Sequence, residues 1–70
     1  MKTLVFQMYR WEYFHAMGNN CRLHGMSSHD AQTLIEATPR FANDEDCFWN
    51  GFLYGRDDCI VSLPSIENVI

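Results

Sequence analysis

Basic residues are scarce in this chain. Five Lys and Arg stand against nine Asp and Glu, which leaves a formal charge of −4 at pH 7. A nucleic-acid-binding domain normally gathers cations on one face to neutralise phosphates, whereas Arg10, Arg22, Arg40 and Arg56 are scattered; direct binding of nucleic acid is not expected. No apolar stretch approaches the roughly 20 residues that span a bilayer, so no membrane segment is expected. Residues 1–6 open like a signal peptide, but Arg10 and Glu12 interrupt the run too early, and no leader is expected. Three cysteines cannot all pair within one chain, and there is no Asn-x-Ser/Thr sequon. A reduced, cytoplasmic protein is the simplest expectation. A glycine-rich phosphate loop and a Gly-x-Ser-x-Gly nucleophile elbow are both missing.

What the chain has is aromatic side chains: five Phe, three Tyr and two Trp among 70 residues. A single domain is expected over residues 1–70, and a chain of this size buries only about 60% of the surface its unfolded form exposes. Each aromatic offers about 150–250 Å² for burial. A thin core can hardly enclose them all, so some should stay exposed or meet a second chain, as in a homodimer.

Local patterns suggest strands around one helix. Residues 3–9 alternate loosely and are rich in β-branched and aromatic types, a strand pattern that continues through Trp11, Tyr13 and His15. A helix over residues 10–17 is the alternative, with Trp11, Phe14 and Met17 three apart and Gly18 as its C-cap. Gly18-Asn19-Asn20 reads as a turn and residues 21–24 as a short return strand. The clearest element is a helix over about 28–37, capped by Ser27 or Ser28, with Asp30 in its first turn and Pro39 beyond its end. Asn43-Asp44-Glu45-Asp46 reads as a polar loop. Residues 47–63 read as a hairpin with its tip near Arg56-Asp57, and Ser65 as the cap of a last helical turn. The expected fold is therefore α+β in a ββαββ-like order, with a small antiparallel sheet covered on one face by the helix.

Several groups of residues bear on chemistry. Cys21 and His24 have the spacing of a zinc ligand pair, and Cys47 and Cys59 would have to complete the set. Eleven residues separate the latter two, whereas structural zinc sites draw on two short-spaced pairs. Zinc binding through Cys21, His24, Cys47 and Cys59 is the alternative function; otherwise no cofactor is expected. Residues 46–57 have the length of a calcium loop, but Phe48 stands where an oxygen ligand belongs. No motif surrounds any cysteine to mark a nucleophile, and no enzymatic activity is expected. Leu23-His24-Gly25-Met26-Ser27 resembles the turn of a helix-turn-helix, but the helix after it carries acids and no bases.

The most suggestive feature is acidic and aromatic. Asp44, Glu45 and Asp46 on one side and Asp57 and Asp58 on the other bracket Phe48, Trp49, Phe52 and Tyr54. On a strand these acidic clusters would lie roughly 25–30 Å apart. Carboxylates would speed encounter with a basic protein surface and aromatics would anchor the complex. The expected function is a small acidic interaction protein that binds and modulates another protein. An inhibitor of a basic nucleic-acid-handling partner, of the kind phages and mobile elements encode, is one setting that size and charge suggest.

Overall fold

The computed structural model describes residues 8–56 and 58–70. It overturns the α+β expectation. Three α-helices, α1 (Arg10–Leu23), α2 (Ser28–Ala37) and α3 (Ala42–Tyr54), are followed by an irregular tail with one 3-10 turn, Ile66–Asn68. Among the described residues there is no strand, and the only β feature is an isolated parallel bridge between Met8 and Val69. The expected first strand lies partly outside the described residues. The expected helix over 28–37 is present, with the Ser27 hydroxyl accepting the Asp30 amide at 3.2 Å.

Segments expected to be strand or loop are helical because their apolar residues repeat at helical spacing once the glycines are counted as contact positions. Along α1, Phe14, Met17, Gly18 and Cys21 form one buried stripe. Along α3, Asp44, Phe48 and Gly51 do the same. Asp44 and Glu45, which read as loop, occupy the first turn of α3, where carboxylates favour the helix dipole. Asn43-Asp44-Glu45-Asp46 is thus the start of a helix.

Between α1 and α2 the chain stops and restarts within five residues. The Met26 amide donates to the Cys21 carbonyl at 3.0 Å and the Gly25 amide to that of Arg22 at 2.9 Å. This double bond pattern closes a helix only when the residue past the cap is left-handed. Gly25 is that residue, with φ of 75°. Ser27 then opens α2, and the resemblance to a helix-turn-helix turn is this pair of caps.

α1 and α3 run parallel and form the main packed pair. Arg10 reaches Asp44 at one end, Gly18 and His15 meet Phe48 and Gly51 in the middle, and Arg22 reaches Gly55 at the other end. Gly18-Asn19, which reads as part of a turn, and Gly51, inside the expected hairpin strand, lie at the crossing point. A Cβ on Gly18 would overlap the Phe48 carbonyl oxygen and lie 2.8 Å from the Phe52 nitrogen. A Cβ on Gly51 would overlap the His15 carbonyl oxygen. Each glycine lets a main chain lie where a side chain would otherwise stand.

α2 links the two and seals Ala31 and Ile35 against the core, which is centred on Phe14 and Phe48. The tail returns along α1. The Asn20 side chain donates to the Val61 carbonyl at 2.8 Å and accepts the Val61 amide at 3.0 Å, as a neighbouring strand would. The Ile70 amide donates to the Met8 carbonyl at 2.8 Å, and the Arg10 amide donates to the Ile70 carbonyl at 3.0 Å. The last bond satisfies one of the free amides that open α1.

Candidate protein-docking site

Two parallel helices set their dipoles side by side, which is unfavourable unless each shared end meets compensating charge. At the carboxyl-terminal end Arg22 supplies it. One of its terminal nitrogens donates to the Asn19 side-chain oxygen at 2.6 Å and to the Gly55 carbonyl at 2.9 Å, joining the last turns of both helices. Asn19 is fully buried there.

At the amino-terminal end Asp44, in the first turn of α3, pairs with Arg10 at the start of α1. Its carboxylate accepts Arg10 Nε on both oxygens at 3.2 Å and Arg10 Nη2 at 2.5 Å. It also accepts the Phe41 amide at 2.8 Å, which closes the first turn of α3. The Arg10 bonds, with the Phe41 amide adding to them, hold the Asp44 carboxyl below the usual carboxylate range despite its burial. The Arg10 guanidinium lies 4.9 Å from the centre of the Phe41 ring and 5.6 Å from that of Phe14. A buried carboxylate, a cation and two rings thus make one rigid block that ties α1 to α3.

Above this block the helices leave a groove of about 610 Å³, lined by Trp11 on one side and by Phe41, Asn43, Asp46 and Cys47 on the other. Trp11 is 60% exposed and Phe41 72% exposed. Large rings left open on a rigid support are the usual anchors of protein interfaces. The Cys47 thiol is pushed up by burial, and by the nearby Asp44 and Asp46 carboxylates, away from the thiolate form that a nucleophile requires. Burial does the same to Cys21.

The residues expected to form the partner surface are dispersed by the helical structure. Asp44 is buried in its ion pair, and Glu45 is half-buried beside Arg40 at 3.5 Å. Only Asp46 stands exposed on the groove rim. Trp49 and Phe52 pack edge-to-face at 5.3 Å and lie half-buried against the core. Tyr54 is exposed at the other end of α3, about 12 Å along the helix axis from Asp46 at a rise of about 1.5 Å per residue. Asp58 is exposed in the tail, and Asp57 lies outside the described residues. Arg10, Trp11 and Phe41 were not singled out as site residues. A usable sign was present in the spacing of Phe41 and Asp44, since an acid three residues past a helix cap marks a helix start.

The alternative metal set does not assemble. Cys21 is buried, Cys47 lines the groove, and His24 and Cys59 are exposed elsewhere. Among the described residues no group of three or more His, Cys, Asp or Glu is placed to hold a metal ion. Among the same residues no helix is long and apolar enough to cross a membrane.

Comparison with known protein families, curated proteins and solved structures finds no match to this chain.

Proposed function

We propose that this chain is a small protein-binding domain that docks another protein through the aromatic groove at the shared amino-terminal end of α1 and α3. The observation that carries this reading is the pairing of two open rings, Trp11 and Phe41, across a groove whose floor is fixed by the Arg10–Asp44 block. Burying an aromatic ring removes about 150–250 Å² from water. Because the block already orders both helix ends, little further conformational entropy is lost when a partner settles there. Burial and the neighbouring carboxylates push the pKa of the groove thiol up, which favours contact over covalent chemistry.

The test compares wild type, Trp11→Ala and Tyr54→Ala as bait in quantitative affinity purification, with each variant's thermal melt recorded. Partners retained by wild type and by Tyr54→Ala should be lost with Trp11→Ala, whose melt should match wild type. Equal retention by all three baits rejects the groove as the docking site.

A further inference from the structure

Trp11 divides the docking surface in two. On one side of the indole lies the groove with Phe41 and Asp46. On the other is a smaller hollow of about 170 Å³, lined by Met8, Glu12, His15, Ala16 and Val61. Each half is mainly apolar and contains one carboxylate that no described cation neutralises. In the first half Arg10 and Asp44 cancel one another, which leaves Asp46, exposed and in no ion pair among the described residues. In the second half Glu12 receives, among the described residues, a long contact of 3.5 Å from the Tyr9 amide and no ion pair. An open indole is thus flanked on both sides by carboxylates that no cation among the described residues pairs with, on a chain whose formal charge is −4.

From this arrangement we infer that the occupant is a cationic, apolar segment of another protein, seated astride Trp11 with one basic side chain directed to Asp46 and another to Glu12. The inference rests on the docking reading above and adds the chemical class of the partner. An apolar side chain covers the indole, and the basic ones take the rim, where their ends stay hydrated and their stems add contact. Charge decides against the other occupants. An acidic segment or a phosphate backbone would meet two carboxylates within a field of the same sign. A second copy of this chain, joined about a two-fold axis through the same patch, would bring the Asp46 and Glu12 carboxylates of one copy up against those of the other.

The experiment uses the full chain, labelled with nitrogen-15, and three short amphipathic peptides of equal length: leucine–lysine, leucine–glutamine and leucine–glutamate. The Trp11 indole N–H resonance, assigned through Trp11→Phe, reports binding at the site, and that of Trp49 serves as the internal control. The leucine–lysine peptide should shift Trp11 and leave Trp49 nearly unmoved. Its affinity should fall about tenfold in the Glu12→Gln/Asp46→Asn double variant. It should fall less than about twofold in Asp30→Asn/Asp58→Asn, which removes the same charge from exposed positions away from the groove. Equal losses in the two double variants would reduce the effect to net charge and overturn the inference. Binding of the leucine–glutamine or leucine–glutamate peptide at Trp11 as tight as that of leucine–lysine would also overturn the cationic partner, while leaving the docking surface standing. A Trp11 resonance that ignores all three peptides would reject both readings. Self-association of the peptide-free chain that moves Trp11 would give the surface to a second copy.

Discussion

Gly18 lies against the main-chain carbonyl of Phe48 so closely that no side chain fits between them, and Gly51 meets the carbonyl of His15 in the same way. The two contacts sit on opposite helices of one crossing, so either glycine fails if the helices part. Gly18→Ala and Gly51→Ala should each destabilise the domain by about 2–3 kcal/mol, the overlap outweighing the roughly 1 kcal/mol that alanine gains in helix propensity. The double variant should cost clearly less than the sum, because helices already separated by the first methyl accept the second. Urea unfolding of the four proteins measures this; strict additivity would show that the two sites relax independently.

Acid should loosen the amino-terminal block. The Asp44 carboxyl is held below its ordinary range by Arg10, so its contribution to stability is fully present above the unfolded value, near about 4. That contribution is lost as pH falls through the lower folded value, with Arg10 charged throughout. Asp44→Asn should cost about 2 kcal/mol at neutral pH and progressively less in acid. Thermal melts of both proteins between neutral pH and strong acid would show the two curves converging; a constant gap would mean that the carboxylate's charge is not what holds the block.

The tail should be fastened by one amide. Asn20→Ala removes both bonds to the Val61 main chain and should cost about 1–2 kcal/mol. Hydrogen exchange should quicken at the Val61 amide, while the Phe48 amide, in the middle of α3, should slow or quicken only with global stability. Unchanged exchange at Val61 would mean that packing of Val61, Leu63 and Val69 suffices to hold the tail.

The two tryptophans should separate cleanly. Trp49 packs against Phe48 at 5.1 Å and Phe52 at 5.3 Å, so Trp49→Ala should cost about 2–3 kcal/mol. Trp11→Ala should change stability by less than about 0.5 kcal/mol, as expected for an exposed position. Denaturant melts decide between them, and a large loss at Trp11 would make it a structural residue.

Thiol labelling should follow exposure. Cys59 is exposed, Cys47 half-buried and Cys21 buried, so iodoacetamide should modify them in that order. Mass spectrometry over time reads the order directly. Fastest reaction at Cys47 would reveal an activated thiol in the groove, contrary to its raised pKa.

The sequence revealed α2 because its signals are local: a serine cap, an acid in the first turn and a proline past the end all act within one element. The surplus of aromatics was also legible, and Tyr9, Trp11, Phe41 and Tyr54 do remain exposed. What misled was Gly18-Asn19-Asn20, read as a turn, and the aromatic run around Gly51, read as a strand. Glycine and asparagine favour turns in isolation, yet Gly18, Asn19 and Gly51 are buried within helices. Their reason is tertiary, since each takes its place from residues thirty or more positions away in the chain, and no local pattern encodes that neighbour. The same mistake carried the site with it. Read as a strand, residues 47–54 offered Trp49 and Phe52 as contact residues; wound into α3, these two pack against the core, and Trp11 and Phe41 are left outside.

The parallel course of α1 and α3 constrains how the domain can assemble. In an up-and-down bundle each helix can zip onto the next as soon as both exist. Here α1 gains its main companion only after the chain has turned back through α2 and forward again, so α1 with α2 alone would have little to hold it. A ribosome-bound chain lacking α3 should therefore remain largely open, and synthesis would have to pass Gly51 before the crossing could lock. Cooperativity in this small protein is thus imposed by its path through space, and a truncation anywhere in α3 should leave an unfolded chain instead of a shorter domain.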